Sequence, residues 1–299
     1  MPHTLTVFTP TYNRRELLLR LYESLKRQSV KDFVWLVCDD GSTDDTGELI
    51  KSFMSENIID IRYAYFENGG KMRAHNRGVE LCDTELFVCL DSDDFFTKDA
   101  VREILKTYRD EDKDRLIDKK KLGGIVAHKG ESEDEVLYGQ EFPQVSHSTL
   151  YGLYLKGFKG ETTLIFRTEV LRRFPFPEIE GEKYVPEDYI YDKIDCEYVL
   201  KVLPKIITVC EIVSSGYTDS LKRLKRENPV AWYLYYRQRT AITPVSLLRF
   251  KYSGYYIIYA IRTGHRLFAG EDGEPEIGVF TVLTGFLSAL LIKLLHKDY

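Results

Sequence analysis

Short β-rich segments alternate with segments of helical periodicity over the first hundred residues, and this alternation constrains the fold more than any other feature. Residues 5–8 have the composition of a strand, and leucines at 17, 18, 21 and 25 then recur at helical spacing. We expect Asn13 to cap that first helix. Alternating strands and helices predict an α/β fold with a mostly parallel sheet and flanking helices. Strands are predicted at 33–38, 61–66, 86–90, 123–128, 162–166 and 205–213, and a later helix at 187–200.

Polar, turn-forming residues follow each of the first four predicted strands. The carboxyl ends of parallel strands meet at one edge of a sheet, and ligands bind beyond that edge in open α/β folds. We therefore expect the functional site there. The four segments are TPTYNR at 9–14, DDGSTD at 39–44, ENGGK at 67–71 and DSDD at 91–94.

Three acidic residues, Asp91, Asp93 and Asp94, lie within four positions after the fourth predicted strand. Like charges this close raise one another's pKa unless a cation neutralises them. Carboxylate oxygens suit Mg²⁺ or Mn²⁺, and such an ion can bridge to a diphosphate. The same acids can instead cap the following helix and the turn before it, and this short pattern leaves both interpretations open.

Two other segments suit a nucleotide. Asp39 and Asp40 can accept hydrogen bonds from a nucleobase imide or a ribose hydroxyl, and they can also form an Asx turn before the next helix. Gly70 allows close backbone approach, and Lys71 and Arg73 offer positive charge to a phosphate. Neither the P-loop spacing nor a G-x-G-x-x-G motif is present, so P-loop hydrolysis and a Rossmann dinucleotide site are disfavoured.

In this combination the sequence resembles the family 2 glycosyltransferases of the GT-A fold. The matching segments occur in the family's order, closely over the first 100 residues and more loosely over the next 120. They are TPTYNR at 9–14, VCDDGSTD at 37–44, NGGKMRAHNRG at 68–78 and LDSDD at 90–94. The resemblance implies a nucleotide-sugar donor, with a UDP-sugar expected.

The resemblance also implies a set of site residues. A divalent ion, Mn²⁺ or Mg²⁺, would bind at Asp93, with Asp94, and would bridge the diphosphate. Asp91 would lie on the ribose side, and Pro10, Thr11, Tyr12 and Asp40 would contact the base. The full set of nucleotide-binding candidates is Pro10, Thr11, Tyr12, Asn13, Arg14, Asp39, Asp40, Gly70, Lys71, Asn76, Asp91 and Ser92.

The segment VPEDYIY at 185–191 resembles the family's acidic motif at the start of the acceptor-side helix. Aligning Tyr191 with the aromatic residue that follows this motif selects Glu187 as the catalytic base, which we prefer. Counting the Glu–Asp pair as the motif selects Asp188 instead. Proline and acids are also ordinary at a helix start. The implied reaction is a displacement with inversion, in which the base deprotonates the acceptor hydroxyl and the metal stabilises the departing nucleoside diphosphate.

The acceptor is less constrained than the donor. Residues 160–163 (GETT) resemble the acceptor loop of the family, although an ordinary turn explains them equally well. The Q-x-x-R-W motif of processive synthases is absent, which favours single transfer. We expect the acceptor to be a glycan or lipid-linked hydroxyl in cell-surface polysaccharide biosynthesis. A metal-dependent nucleotidyltransferase and a non-catalytic glycan- or lipid-binding scaffold are the competing interpretations.

The formal net charge of -5 conceals two opposed regions. Residues 221–268 hold ten basic side chains and one acid, a balance of +9, which leaves -14 for the remainder. A chain of this balance is not a uniformly basic nucleic-acid binder, and we expect no nucleic-acid partner. Basic residues interleaved with Tyr and Trp suit a membrane interface. The tail is therefore predicted to associate with the cytosolic membrane surface.

Residues 277–292 carry no charge. As a helix they would extend about 24 Å, short of a hydrocarbon core of about 30 Å, so a monotopic or re-entrant arrangement is favoured over a span. Burial against the protein's own core, or at a dimer interface, is the alternative.

Three regions are expected. They are a nucleotide-sugar half at 1–105, an acceptor half of the same domain at 106–220, and a helical tail at 221–299. The N-terminal residues lack a basic segment followed by an apolar one, so a cytoplasmic location on the inner membrane face is expected. The five cysteines include no C-x-x-C pair, and neither a zinc site nor a disulfide framework is predicted.

Overall fold

The computed structural model describes residues 3–111, 116–210, 221–267 and 277–295. The chain divides into two compact units. The first takes Met1–Phe176 and Ile190–Ser214, and the second takes Pro177–Tyr189 and Ser215–Tyr299. The expected boundary at 220 falls in the segment 211–220, outside the described residues.

The first unit contains the sheet and the helices that pack on it. Its first half comprises β1 (Leu5–Thr11), α1 (Arg15–Lys26), β2 (Phe33–Asp39), α2 (Thr46–Glu56), β3 (Asp60–Tyr65), α3 (Lys71–Leu81), β4 (Leu86–Cys89), β5 (Asp94–Phe96) and α4 (Ala100–Arg109). Its second half comprises β6 (Lys121–Gly130), β7 (His147–Ser148), α5 (Leu150–Leu155), β8 (Thr162–Arg167), α6 (Thr168–Arg173), α7 (Asp188–Glu197) and β9 (Tyr198–Cys210), except that the first two residues of α7 belong to the second unit.

The strands form one sheet in the order β3-β2-β1-β4-β8-β6-β9-β5, with β7 also paired to β9. Strands β1 to β4 are parallel, as predicted. Strand β8 is antiparallel to both β4 and β6, so β6 runs in the same direction as β4. The second half is thus mixed, because β5 and β7 pair antiparallel with β9. The carboxyl ends of β1, β2, β4 and β6 lie at one edge.

The helical pattern of the first crossover is confirmed, but its cap is not. Helix α1 starts at Arg15 and buries Leu18, Leu21 and Leu25 against the sheet. The residue before it is Arg14, which forms no side-chain cap. Asn13 has φ 52°, and its amide oxygen accepts the N–H of Thr43 at 2.8 Å, so it is used by a different loop.

The helix predicted at 187–200 is shorter in the structure. Helix α7 ends at Glu197, and β9 begins at Tyr198, whereas the prediction continued the helix to residue 200 and began the strand at 205. The alternate apolar residues from Tyr198 onward pair with β6 along most of that strand, and this tertiary pairing overrides the local helical preference. Residues 211–213 of the predicted strand lie outside the described residues.

The second unit is helical. Its helices are α8 (Leu221–Glu227), α9 (Pro229–Ile242), α10 (Leu247–Thr263) and α11 (Val279–Leu295). Six of its aromatic side chains are buried in a common core, so the expectation that they lie at a lipid interface is wrong for these residues. The buried set is Trp232, Tyr233, Tyr236, Tyr255, Tyr256 and Tyr259. In the part of the chain that is described, no helix combines the length and the apolar character needed to cross a bilayer.

Candidate functional site

Hydrogen bonds join the loops that follow β1 and β2. The N–H of Asn13 donates to Oγ of Ser42 at 2.9 Å, and the N–H of Thr43 donates to the Asn13 amide oxygen at 2.8 Å. Asn13 therefore connects the two loops at the edge of the sheet.

The other candidates of the first loop differ in exposure. Pro10 and Thr11 are buried at the end of β1, while the ring of Tyr12 is 47% exposed beside them. The carbonyl of Arg14 accepts the N–H groups of the first turn of α1. Of these four residues, Tyr12 is the aromatic one, and its exposed ring is accessible to a stacked nucleobase.

Asp39 is buried and engaged within the protein. One carboxylate oxygen accepts the N–H of Ser42 at 2.7 Å, which is the Asx turn anticipated from the sequence, and the other accepts the hydroxyl of Tyr63 at 2.8 Å. Burial, and then the neighbouring Asp39, raise the pKa of Tyr63, so this phenol stays protonated and donates. The pair fixes the β2 loop against β3.

Asp40 is 5% exposed and holds the loop before α3. Its Oδ1 accepts the N–H of Gly69 at 2.8 Å, and its Oδ2 accepts the N–H of Gly70 at 2.8 Å and the amide of Asn68 at 3.0 Å. Gly70 has φ 94°, a conformation that disfavours any side chain. Asp40 thus positions the residue that follows Gly70, which is Lys71.

Lys71 forms an ion pair with Asp91 across the site. Its Nζ lies 2.8 Å from Oδ1 and 3.0 Å from Oδ2 of that carboxylate. Burial raises the pKa of Asp91, but Lys71 and Lys129 together lower it more, so the group ionises more readily than an ordinary aspartate. Asp91 is therefore an anion with a cation already beside it.

Asp94 is paired with a second lysine, which comes from the end of β6. Nζ of Lys129 lies 2.9 Å from Oδ2 of Asp94 and 3.8 Å from Oε2 of Glu161. Burial raises the pKa of Asp94; Lys129 opposes the rise, and Asp91 and Asp93 add to it. Burial lowers the pKa of Lys129, but the surrounding acids raise it more, so its ammonium group stays charged.

Asp93 differs from its two neighbours. Its backbone carbonyl accepts a hydrogen bond from Arg20 at 2.8 Å, but within the described ranges its half-buried carboxylate forms no hydrogen bond or ion pair. Ser92, between the acids, is 8% exposed. No group of three or more His, Cys, Asp or Glu side chains among the described residues could hold a metal ion.

The fit of a divalent cation thus differs among the three acids. The carboxylate of Asp93 is available to one. The carboxylates of Asp91 and Asp94 are each occupied by an ammonium group, at 2.8 Å and 2.9 Å respectively, which repels a cation. The residues present therefore fit a metal through Asp93, and they do not fit Asp94 as a second ligand while Lys129 is in place.

Asn76 forms hydrogen bonds that are structural. Its amide nitrogen donates to the carbonyl of Phe176 at 2.9 Å, and its amide oxygen accepts the N–H of the same residue at 2.9 Å. This pair fastens α3 to the segment after α6 and engages both polar atoms of the Asn76 side chain, and the binding of nucleotide by Asn76 stays a prediction.

The two acids proposed as the base lie in the second unit. Oδ2 of Asp188 is 2.8 Å from Nη2 of Arg239, which is buried. Burial raises the pKa of Asp188; Arg239 opposes the rise, and Glu187 adds to it. Glu187 precedes the first residue of α7 and is half-buried.

Two basic residues that are not among the predicted site residues each pair with a candidate acid: Lys129 with Asp94, and Arg239 with Asp188. Lys129 directly follows the strand predicted at 123–128. Residues that follow strands are expected to form the site, and extending that expectation from acidic to basic residues would have identified Lys129. Arg239 is one of the ten basic residues at 221–268 that we predict to face the membrane. Its burial depends on the packing of α9, which the local sequence does not indicate.

The chain matches the model of glycosyl transferase family 2 over residues 6–173, more than half its length. Chondroitin synthase from Escherichia coli is 36% identical over 104 residues, which is 35% of this chain and 15% of that protein. The chain therefore aligns with a small part of that relative.

Two solved structures share the fold. The S. aureus TarS fragment 1–349 in complex with UDP-GlcNAc has a TM-score of 0.58 at 18% identity, and the match covers 87% of this chain and 73% of that one. The mannosyltransferase PcManGT from Pyrobaculum calidifontis, in complex with GDP-Man and Mn²⁺, has a TM-score of 0.56 at 15% identity over 98% of this chain and 81% of that one. The match of the family model, on an α/β sheet of the GT-A type, shows that this chain belongs to glycosyl transferase family 2.

Proposed function

We propose that this protein transfers a sugar from a UDP-sugar to a hydroxyl group of a glycan or lipid-linked acceptor, with inversion at the anomeric carbon. The observation that carries the proposal is the uneven neutralisation of the acids after β4. Asp91 and Asp94 each have a lysine beside them, while Asp93 has no side-chain partner among the described residues. Such an arrangement suits one divalent cation bound with a diphosphate.

Solved structures with this fold support the choice of donor. One holds UDP-GlcNAc, and another holds GDP-Man with Mn²⁺. A relative named for chondroitin synthesis supports a glycan product. We propose that the acceptor is presented at the inner face of the cell membrane, in the assembly of a cell-surface polysaccharide.

Asp93 would hold the divalent ion, Mn²⁺ or Mg²⁺. When bound, that ion supplies positive charge that stabilises the leaving nucleoside diphosphate. Lys129 keeps the buried carboxylate of Asp94 neutralised. Lys71, held next to Asp91 by the loop that Asp40 fixes, is placed to meet an anionic group of the donor.

We assign the proton acceptor to Asp188, although the sequence alignment favours Glu187. The ion pair with Arg239 engages Oδ2 of Asp188 and orients its carboxylate, so that Oδ1 can face an acceptor hydroxyl. The raised pKa of Asp188 also makes it a stronger base than an ordinary aspartate. In this assignment Arg239 is a positioning residue.

Donor hydrolysis tests the proposal without knowledge of the acceptor, because water takes the acceptor's place. A panel of UDP-sugars is incubated with the protein and Mn²⁺, and released UDP is measured. Asp93→Ala should abolish release while the far-UV circular dichroism stays unchanged, and an exposed substitution, Asp45→Ala, should retain it. Release of pyrophosphate would indicate a nucleotidyltransferase, and full activity of Asp93→Ala would overturn its assignment.

A further inference from the structure

Helix α11 is half-covered by protein. Its buried side contacts α10, and the two helices approach closely because small residues meet: a Cβ built on Gly254 would lie 2.4 Å from Oγ of Ser288, and one on Gly285 would lie 3.0 Å from the carbonyl of Ser253. This close packing fixes which side of α11 faces outward. The buried residues are Val282, Gly285, Ser288, Ala289 and Ile292.

The outward side of α11 is apolar along most of the helix, with Lys293 as its one exposed charge and Thr281 and Thr284 partly exposed beside it. Phe280 is 78% exposed near its start, Leu290 is 57% exposed near its middle, and Leu295 is 77% exposed at its end. Isolated exposed leucines are common on soluble proteins, but a continuous apolar face of this kind marks an interaction surface. The face comprises Val279, Phe280, Leu283, Phe286, Leu287, Leu290, Leu291, Leu294 and Leu295.

The charges near this face are mostly positive. Lys293 is the one charged residue of α11, and the neighbouring α10 exposes Lys251 and Arg262. Arg237 and Arg239 are buried, so eight of the ten basic residues at 221–268 are at least partly exposed, against one acid, Glu227. Over the whole second unit, Pro177–Tyr189 and Ser215–Tyr299, 13 basic residues nearly balance 12 acids, so the positive charge belongs to the helices at 221–268 and to Lys293.

We propose that the second unit binds the surface of an anionic phospholipid bilayer, with α11 lying in the plane of the interface and its apolar face directed into the lipid. A helix of 17 residues extends about 25 Å, too short to cross a core of about 30 Å but long enough to lie along it. Exposed lysine and arginine then meet the lipid headgroups.

Charge favours a bilayer over a second copy of this chain. Two copies joined through α11 would bring the exposed lysine and arginine side chains of α10 and α11 toward one another, which opposes association. An anionic lipid surface attracts the same charges. The inference goes beyond the proposed function, because binding requires neither donor nor acceptor.

Vesicle flotation with the full chain tests the inference. The protein is mixed at low salt with vesicles of phosphatidylcholine, alone or with phosphatidylglycerol. We expect flotation with the mixed vesicles and much less with phosphatidylcholine alone. Leu290→Glu should weaken binding at least about tenfold, because it places a charge in the apolar face. Leu155→Glu changes a leucine of similar exposure, 52%, in the first unit and should bind like the wild type.

Three results would overturn the inference. The first is a wild-type protein that does not float with either kind of vesicle. The second is an equal loss of vesicle binding in Leu290→Glu and Leu155→Glu. The third is a wild-type dimer in light scattering that Leu290→Glu converts to a monomer, with no vesicle binding by either protein. Circular dichroism and the melting temperature establish that each variant folds. UDP release by Leu290→Glu in the absence of vesicles tests the proposed function separately, so either proposal can fail alone.

Discussion

Asp40→Ala distinguishes two roles for an aspartate that the sequence assigned to the nucleobase. In the structure its carboxylate accepts the N–H groups of Gly69 and Gly70, both at 2.8 Å, and the amide of Asn68 at 3.0 Å. If these bonds are its main role, removing the carboxylate should destabilise the fold and displace Lys71. If it contacts the base instead, removal should weaken donor binding without changing stability.

The size of the destabilisation follows from which donors lose their acceptor. The amide of Asn68 keeps a bond to the backbone carbonyl of residue 40 at 2.8 Å, so only the N–H groups of Gly69 and Gly70 are left unpaired. Leaving a buried N–H unpaired costs about 1 to 3 kcal/mol. The Gly70 bond is partly exposed and water can replace it, so we expect a total loss of about 2 to 4 kcal/mol.

Urea unfolding measures this loss, and isothermal titration with UDP and Mn²⁺ measures donor-site affinity. Asp45→Ala is the control, because that aspartate is exposed and forms no cap hydrogen bond with α2, and it should change stability by no more than about 0.5 kcal/mol. A stability of Asp40→Ala within about 0.5 kcal/mol of the wild type would refute the positioning role. If Asp40→Ala instead loses affinity for UDP while its stability is unchanged, Asp40 contacts the nucleobase directly.

Further predictions concern the proposed base and the lysine at the end of β6. Because Arg239 lowers the pKa of Asp188 and Glu187 raises it, Arg239→Gln should move the acid limb of the pH profile of donor hydrolysis to higher pH, and Glu187→Gln should move it to lower pH. Rates measured from pH 4 to 9 check both, and inactivity of Glu187→Gln at every pH would make that glutamate the base. Lys129→Met leaves the carboxylate of Asp94, whose side chain is 8% exposed, without its ammonium partner and should cost about 3 to 5 kcal/mol in urea unfolding. A loss below about 1 kcal/mol would show that this ion pair contributes little.

Local sequence patterns predicted the first half of the fold well. Residues of β1 and β2 are uniformly buried, and continuous apolar runs of this length bounded by turn residues indicate parallel strands covered on both faces. The polar residues that follow β1 and β2 lie at the same edge of the sheet, because parallel strands place their carboxyl ends together. The family model over 6–173 and the shared fold confirmed the family that the motifs indicated.

The second half depended on contacts between residues distant in sequence. The antiparallel insertion of β8 between β4 and β6 leaves no local signature, and neither does the early start of β9. Side-chain pairs between distant residues are equally invisible to local sequence patterns. Nothing adjacent to Asp94 in sequence indicates that Lys129, 35 residues later, neutralises it. Tyrosines of the tail have the composition of an interfacial belt, and only the packing of α9 on α10 shows that they form a core.

Release of UDP from a UDP-sugar by the wild type and by Asp188→Asn tests the central claim most directly. The substitution keeps the size of the side chain and removes its ability to accept a proton. We predict that the wild type releases UDP in the presence of Mn²⁺, and that the folded variant is slower by a factor of about 10² to 10⁴. A folded Asp188→Asn protein that releases UDP at the wild-type rate would contradict the account.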